Sequence, residues 1–331
     1  MTTSMLKDDL QHTHKWDWRF PDEFGLSERN LDCLQLSILE ILKWKGVDDP
    51  IPLFLQPFDC HSHELLLRRS RPELKRLWTL IPYPLLDQAQ SAHLLRSLLD
   101  GEGYALVRYQ AYEAPFSAYC GKHDVTHWAL ILDMTEDEVI LLDDAGAPEF
   151  YNGLLGRVPV DTFFQVLADH PDNGFAILKP KTMPDAAETR WEQQCFQLMQ
   201  ASVTEMKEKG GLQRLSAFAD AVEHVPLVSL TSSLEQLEFD IHYFRRLREL
   251  WWTAVQRKAL PSPCVNPEWP QILEKLCHTW SYVMGVLMKW KRQPERDYRV
   301  KLIGHLRQAV ELEGSLMDSW EEQIGNREFL S

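Results

Sequence analysis

After Pro180-Lys181-Thr182-Met183-Pro184 the hydrophobic period of the chain changes and does not change back. Downstream, apolar residues recur at three- and four-residue steps. Leu234, Leu237, Ile241, Phe244, Leu247 and Trp251 form one such stripe, the mark of an amphipathic helix. Long helices are predicted over about 186–208, 211–224, 231–259, 268–291 and 295–323. Ser233 with Gln236 is placed as a capping box at the third. Pro261, Pro263, Pro267 and Pro270 punctuate the loop that follows it. A single lasting change of period calls for two domains, with the boundary near Pro184. The 331 residues, 44% of them hydrophobic, suffice for two cores without a disulfide or metal staple.

Upstream of that boundary the pattern is mixed. Residues 1–26, with Trp16, Trp18 and Phe20 before Pro21, read as an irregular arm. Leu31 to Lys45 carries a helical stripe in Leu34, Ile38, Leu39, Ile41 and Leu42. Asn30 or Asp32 caps its start and Gly46 its end, which puts Cys33 in the first turn. Further helices are predicted from Glu64 to Leu80, Leu86 to Leu99 and Val160 to Ala168. Strands are predicted over Tyr104–Tyr109, Trp128–Leu132, Val139–Leu142 and Gly174–Leu178. The turn Thr135-Glu136-Asp137-Glu138 joins the middle two as a hairpin. The expected fold is α+β: an antiparallel sheet packed on the Cys33 helix over 27–184, then an all-α domain over 185–331.

Composition narrows the function. A net charge of −14 opposes nucleic-acid binding, which needs a basic surface to displace counterions. No apolar run reaches the ~20 residues of a membrane helix. Six cysteines are scattered without a repeated spacing, and the first residues hold no secretory apolar segment. Free thiols in a reducing cytoplasm are expected. No G-x-x-x-x-G-K-[ST] loop is present, and no cofactor or metal is called for.

One constellation can carry chemistry. Cys33 stands at a helix start, where unpaired amides and the dipole favour a thiolate. His127 begins a strand in Thr126-His127-Trp128-Ala129-Leu130, and Asp143 or Asp144 ends the next one. The hairpin brings that carboxylate back to orient the imidazole. With a two-residue turn at Glu136-Asp137, Asp144 shares the face of His127. With a three-residue turn or a bulge, Asp143 does. The rival reading is zinc: Cys120, His123 and His127 stand as C-x2-H-x3-H, with Cys60, His61 and His63 nearby. Trp251, Trp252, Trp280 and Trp290 read as core rather than a ligand box. Arg68, Arg69, Arg71, Lys75 and Arg76 form one basic stretch, and Lys289, Lys291, Arg292, Arg296, Arg299 and Lys301 another. Each is a candidate contact for an acidic partner and reads first as a solvated helix face.

The blocks Asp32-Cys33-Leu34-Gln35-Leu36-Ser37-Ile38-Leu39 with Lys45-Gly46, Tyr119-Cys120-Gly121-Lys122-His123, His127-Trp128-Ala129-Leu130-Ile131-Leu132-Asp133 and Val139-Ile140-Leu141-Leu142-Asp143-Asp144 resemble the butirosin-biosynthesis protein H family. Gly210-Gly211-Leu212 and Phe244-Arg245-Arg246-Leu247-Arg248 extend the resemblance into the helical half. It implies a papain-like domain with Cys33 as nucleophile and His127 and Asp143 or Asp144 as its partners. The implied activity is acyl transfer from a carrier-protein thioester to an amine in natural-product biosynthesis. Asp32 precedes the nucleophile and no obvious glutamine stands upstream. The oxyanion hole therefore falls to backbone amides. A cysteine peptidase or amidase with the same machinery, and a non-catalytic scaffold of the same fold, are the alternatives.

Overall fold

Two caps define the first helix, α1 (Cys33–Trp44). The Asp32 carboxylate accepts from the Gln35 amide at 2.9 Å, and the Gln35 side chain accepts from the Asp32 amide at 3.1 Å. This capping box satisfies two amides at a terminus that has four unpaired. At the other end Gly46 adopts φ +72°. Its amide donates to Lys43, and that of Val47 to Leu42, closing the helix as a Schellman turn. Every residue from Gln35 to Leu42 is buried, so the helix is enclosed all round, and Leu36, Ile38, Leu39, Ile41 and Leu42 each contribute about 1.5–3 kcal/mol. The helix packs against the strand that carries His127.

The computed structural model describes residues 22–70, 78–180 and 187–328. Most of the expected N-terminal arm, including Trp16, Trp18, Phe20 and Pro21, lies outside the described residues. The chain forms two compact units. The first holds Met1–Leu53 and Leu74–Met183, and the second holds Phe54–Glu73 and Pro184–Ser331. The break at Pro184 is where the hydrophobic period changes. Phe54–Glu73, expected in the first unit, belongs to the second.

After a short α2 (Ile51–Phe54) come β1 (His61–His63) and β2 (Leu66–Arg68), which among the described residues pair only with each other. The first unit continues with β3 (Trp78–Pro84), α3 (Gln88–Glu102), β4 (Ala105–Gln110), β5 (Thr126–Met134), β6 (Glu138–Leu142), β7 (Tyr151–Asn152), β8 (Leu155–Pro159), α4 (Val160–Ala168) and β9 (Gly174–Pro180). Seven of these strands form one sheet in the order β3-β9-β4-β5-β6-β8-β7, and every neighbouring pair is antiparallel. One face meets Leu95, Leu98 and Leu99 of α3 and Phe163, Phe164 and Leu167 of α4. Ala129 to Leu132 of β5 are all buried. Both faces of the strand are therefore covered, which explains the unbroken apolar run at its centre.

The helix expected from Glu64 to Leu80 does not form over its described residues, which give β2 and the start of β3 instead. Glu64 sits at φ +53°, a left-handed turn residue between β1 and β2. The Leu67 amide donates to Asp240 Oδ2 at 3.2 Å and the Ser70 amide to Asp59 Oδ2 at 2.8 Å. These acceptors, one of them far along the chain, overrode the local helical pattern.

The second unit adds α5 (Ala187–Val203), a π-helical turn (Thr204–Glu208), α6 (Gly211–His224), α7 (Leu227–Ser232), α8 (Leu234–Gln256), α9 (Trp269–Arg292) and α10 (Arg299–Glu328). The expected capping box is absent: the Ser233 hydroxyl donates back to the Ser229 carbonyl at 2.9 Å. The short α7 already runs into Ser233, so the hydroxyl meets the preceding turn rather than the next amides. Trp251, Trp280 and Trp290 are fully buried. No described helix is long and apolar enough to cross a membrane.

This unit also buries an ion pair. Arg248 donates to Glu313 through Nε at 2.7 Å and Nη2 at 3.2 Å, with both side chains at 0% exposure. The guanidinium lies over the rings of Phe244 and Phe58 at 3.7 and 4.4 Å. Trp280 Nε1 donates to the same Glu313 oxygen as Nε. Glu313→Ala leaves the guanidinium buried without its carboxylate. Urea unfolding should show a loss of about 3–5 kcal/mol, and a loss below ~1 kcal/mol would mean that water reaches Arg248.

Candidate active site

Strand register places the histidine. In the β4–β5 ladder Tyr109 stands directly opposite His127, so both side chains lie on one face of the sheet. In the β5–β6 hairpin the Thr135 amide donates to the Glu138 carbonyl at 2.8 Å, and Met134 pairs with Val139. That is the two-residue turn at Glu136-Asp137, which alone would bring Asp144 to the face of His127. A bulge intervenes: Asp133 pairs with Ile140 but Ile131 with Leu141, leaving Leu132 as the extra residue. The frame shifts by one and Asp143 takes the position. His127 Nε2 lies 2.7 Å from Asp143 Oδ1 and 3.4 Å from Asp144 Oδ1.

Asp143 is buried and receives three donors. His127 Nε2 and the Ala145 amide (2.8 Å) reach Oδ1, and the Tyr109 hydroxyl reaches Oδ2 at 2.6 Å. Its own amide donates to the Leu154 carbonyl. Tyr151 holds the loop that follows. Its ring lies so close to Gly146 and Gly156 that a Cβ on either would stand 2.2 or 2.4 Å from ring carbons. Tyr109 and Tyr119 both meet the His127 ring edge-on, at 5.4 and 5.6 Å.

His127 itself is buried. Burial is the strongest single influence on its ring and acts to lower the pKa. The charge of Asp143, that of Cys33 and the hydrogen bonds to Asp143 and Asp144 together outweigh it, so the ring holds its proton well above the ordinary histidine range. Burial and the adjacent Asp143 charge push Tyr109 well above the usual phenol value. It is a neutral donor at every working pH.

Cys33 is half-buried at the first position of α1. All six cysteines are free, and only Cys33 and Cys120 are not fully buried. The capping box serves the Asp32 and Gln35 amides. The Cys33 and Leu34 amides at the same helix end have no intrahelical acceptor. With Nε2 committed to Asp143, Nδ1 is the ring nitrogen left for the thiol.

The zinc clusters do not assemble. Among the described residues the one grouping with metal-ligand spacing is His127, Asp143 and Asp144, whose ligand atoms lie within 4.8 Å of one another. Cys120 and His123 are not in it. His61 and His63 are exposed, and burial pushes the Cys60 thiol up to about 12. The donor set of the grouping fits a hydrogen-bonded pair better than a metal. Nε2 to Oδ1 is an N–H···O distance, and both Asp143 oxygens already accept from protein donors.

The basic stretches are partly used within the fold, and Arg68 is exposed. Arg69 is buried, donates to the Tyr243 carbonyl and stacks on that ring, while Arg71, Lys75 and Arg76 lie outside the described residues. Lys291 pairs with Glu238 at 2.6 Å, Lys289 lies over Tyr298, and Arg299 donates to the Glu223 carbonyl. Arg292, Arg296 and Lys301 are exposed. Sequence reasoning did not single out Tyr109 or Tyr151. Tyr109 was legible from strand pairing opposite His127, whereas nothing local marks Tyr151.

No known protein-family profile matches the chain, and no curated protein is significantly similar to it.

A histidine with a raised folded pKa binds more protons folded than unfolded. Its stabilisation is fully present below the unfolded value of ~6.5 and is lost as pH rises through the folded value. The stability of the wild type relative to His127→Gln, from urea unfolding, should therefore decline as pH rises above ~6.5. A difference that stays flat or grows over that range would mean that the folded ring is neutral.

Proposed function

We propose that the first unit is a papain-like cysteine-nucleophile domain and that the chain is a thiol-dependent acyltransferase of natural-product assembly. One observation carries the reading. A buried imidazole is fixed at Nε2 by Asp143, and Cys33 sits at the start of a helix packed on the imidazole's own strand.

The chemistry follows from that arrangement. The Cys33 thiolate attacks the carbonyl carbon of an acyl thioester. The amides of Cys33 and Leu34 face the developing oxyanion. The carbon–sulfur bond to the donor breaks, and its thiolate leaves with the proton held on His127. An acyl-Cys33 thioester remains. The amine of the acceptor then attacks it, His127 takes the amine proton, the new C–N bond forms and Cys33 is released. Thioester exchange between donor and Cys33 is close to thermoneutral, so no nucleotide is consumed. The donor that fits is a carrier protein, an acidic partner that needs a basic contact. Arg292, Arg296 and Lys301 are the exposed cations at the α9–α10 junction available for it.

Incubation with a small acyl thioester such as an N-acetylcysteamine ester should add one acyl mass to Cys33, read by intact-protein mass spectrometry. Cys33→Ala should abolish the adduct and keep the fold, because a half-buried first-turn thiol fills little core. His127→Ala should slow loading about 100-fold or more. An undiminished adduct on Cys33→Ala, or none on the wild type, sinks the proposal. An adduct that water clears as fast as added amines do assigns hydrolysis instead of transfer.

Charge reversal at Arg292 and Arg296 should slow loading from a carrier-protein thioester and leave loading from the small mimic unchanged. The deficit should shrink as salt rises. If carrier-dependent loading is unaffected, the carrier does not dock there.

A further inference from the structure

Asp143 differs from an ordinary orienting carboxylate in what holds its far oxygen. Oδ1 is shared by the ring of His127 and the amide of Ala145. Oδ2 takes a side-chain donor from a different strand, Tyr109 on β4, at 2.6 Å. The Tyr109 ring stands opposite His127 in the ladder, meets it edge-on, and is fully buried. It also packs on Phe116 at 5.1 Å. Ring and hydroxyl therefore have separable roles: the ring fills the core, and the hydroxyl reaches past His127 to the carboxylate.

We propose that Tyr109 is a positioning residue whose hydroxyl locks the Asp143 carboxylate against His127. A carboxylate held at one oxygen can rotate about its Cβ–Cγ bond, and one held at both cannot. Tyr109 thus acts on the imidazole through Asp143, and through His127 on the reactivity of Cys33. The other groups facing His127 are Cys33 from α1, Tyr119 from the loop before β5, and Asp144, with Tyr151 coupled to both aspartates. The donor at Asp143 Oδ2 is the Tyr109 hydroxyl. The link to reactivity rests on the reading of Cys33 and His127 as the reacting pair, whereas the hold on Asp143 does not.

Tyr109→Phe keeps the ring and removes only the hydroxyl. In protein labelled with 15N-histidine, the His127 titration should move to lower pH, by up to about one unit, because a carboxylate free to turn holds the imidazolium less closely. Tyr104→Phe is the control. It removes the hydroxyl of another buried tyrosine, which donates to the Leu178 carbonyl at 2.9 Å, and should leave the His127 titration in place. In an Asp143→Asn background, Tyr109→Phe should add no further shift. Three results overturn the proposal: a titration that stays within about 0.2 units, an equal shift in Tyr104→Phe, or a further shift without the carboxylate. If Tyr109→Phe fails to fold while Tyr104→Phe folds, the hydroxyl is structural and the proposal also fails. The rate of Cys33 alkylation by iodoacetamide, read at the Cys33 peptide, separates this from the functional reading. If Cys33 is no more reactive than Cys120, the acyltransferase reading is lost and the His127 result stands by itself.

Discussion

A carboxylate inside a hydrophobic core must have its oxygens filled by donors, and that demand organises the first unit. An unpaired buried charge costs several kcal/mol, and each hydrogen bond to it returns roughly 1.5–3 kcal/mol. Asp143 draws its donors from β5, from β4 and from the loop after β6. Slipping either pairing by one residue would strip it of at least one of them. The side-chain pattern of the central strands is apolar on both faces, so hydrophobic burial alone would fix their register only weakly. The aspartate supplies the specificity that burial lacks.

The helical unit solves a related problem differently. Arg248 and Glu313 are both fully excluded from water, and each is the other's main partner. The aromatic rings of Phe58 and Phe244 cover the guanidinium. The pair ties α8 to α10, while Asp240 and Arg214 anchor the small β1–β2 hairpin to the helices. That anchoring is why Phe54–Glu73 belongs with helices far along the chain rather than with the sheet it precedes.

What was legible in the sequence was local. The α1 helix, with Asp32 and Gly46 at its ends, the hairpin turn at Thr135–Glu138 and the helix Val160–Ala168 follow from periodicity and capping, which short windows contain. The constellation of a helix-start cysteine, a strand-start histidine and a following aspartate was legible for the same reason. The Glu64–Leu80 segment was misread because its amides find acceptors on Asp59 and Asp240, and no short window sees Asp240. Ser233 was misread because a further short helix stands before it. The choice between Asp143 and Asp144 was undecidable from pattern, since it turns on one bulged residue with no distinctive chemistry of its own. Leu132 looks like any other leucine in an apolar strand.

That bulge gives the tandem aspartates a meaning beyond geometry. Leu132 is the sole offset between the hairpin turn and the histidine, and the neighbouring carboxylate already lies 3.4 Å from the ring. Were that leucine deleted, the strand frame would slide by one and Asp144 would face His127 where Asp143 now does. A strand-borne site is normally fragile to insertion and deletion, because every side chain downstream changes sides. Here the doublet covers one such change, the loss of a single residue, after which Asp144 would carry the carboxylate facing the imidazole, whereas the gain of one would bring Leu142 there.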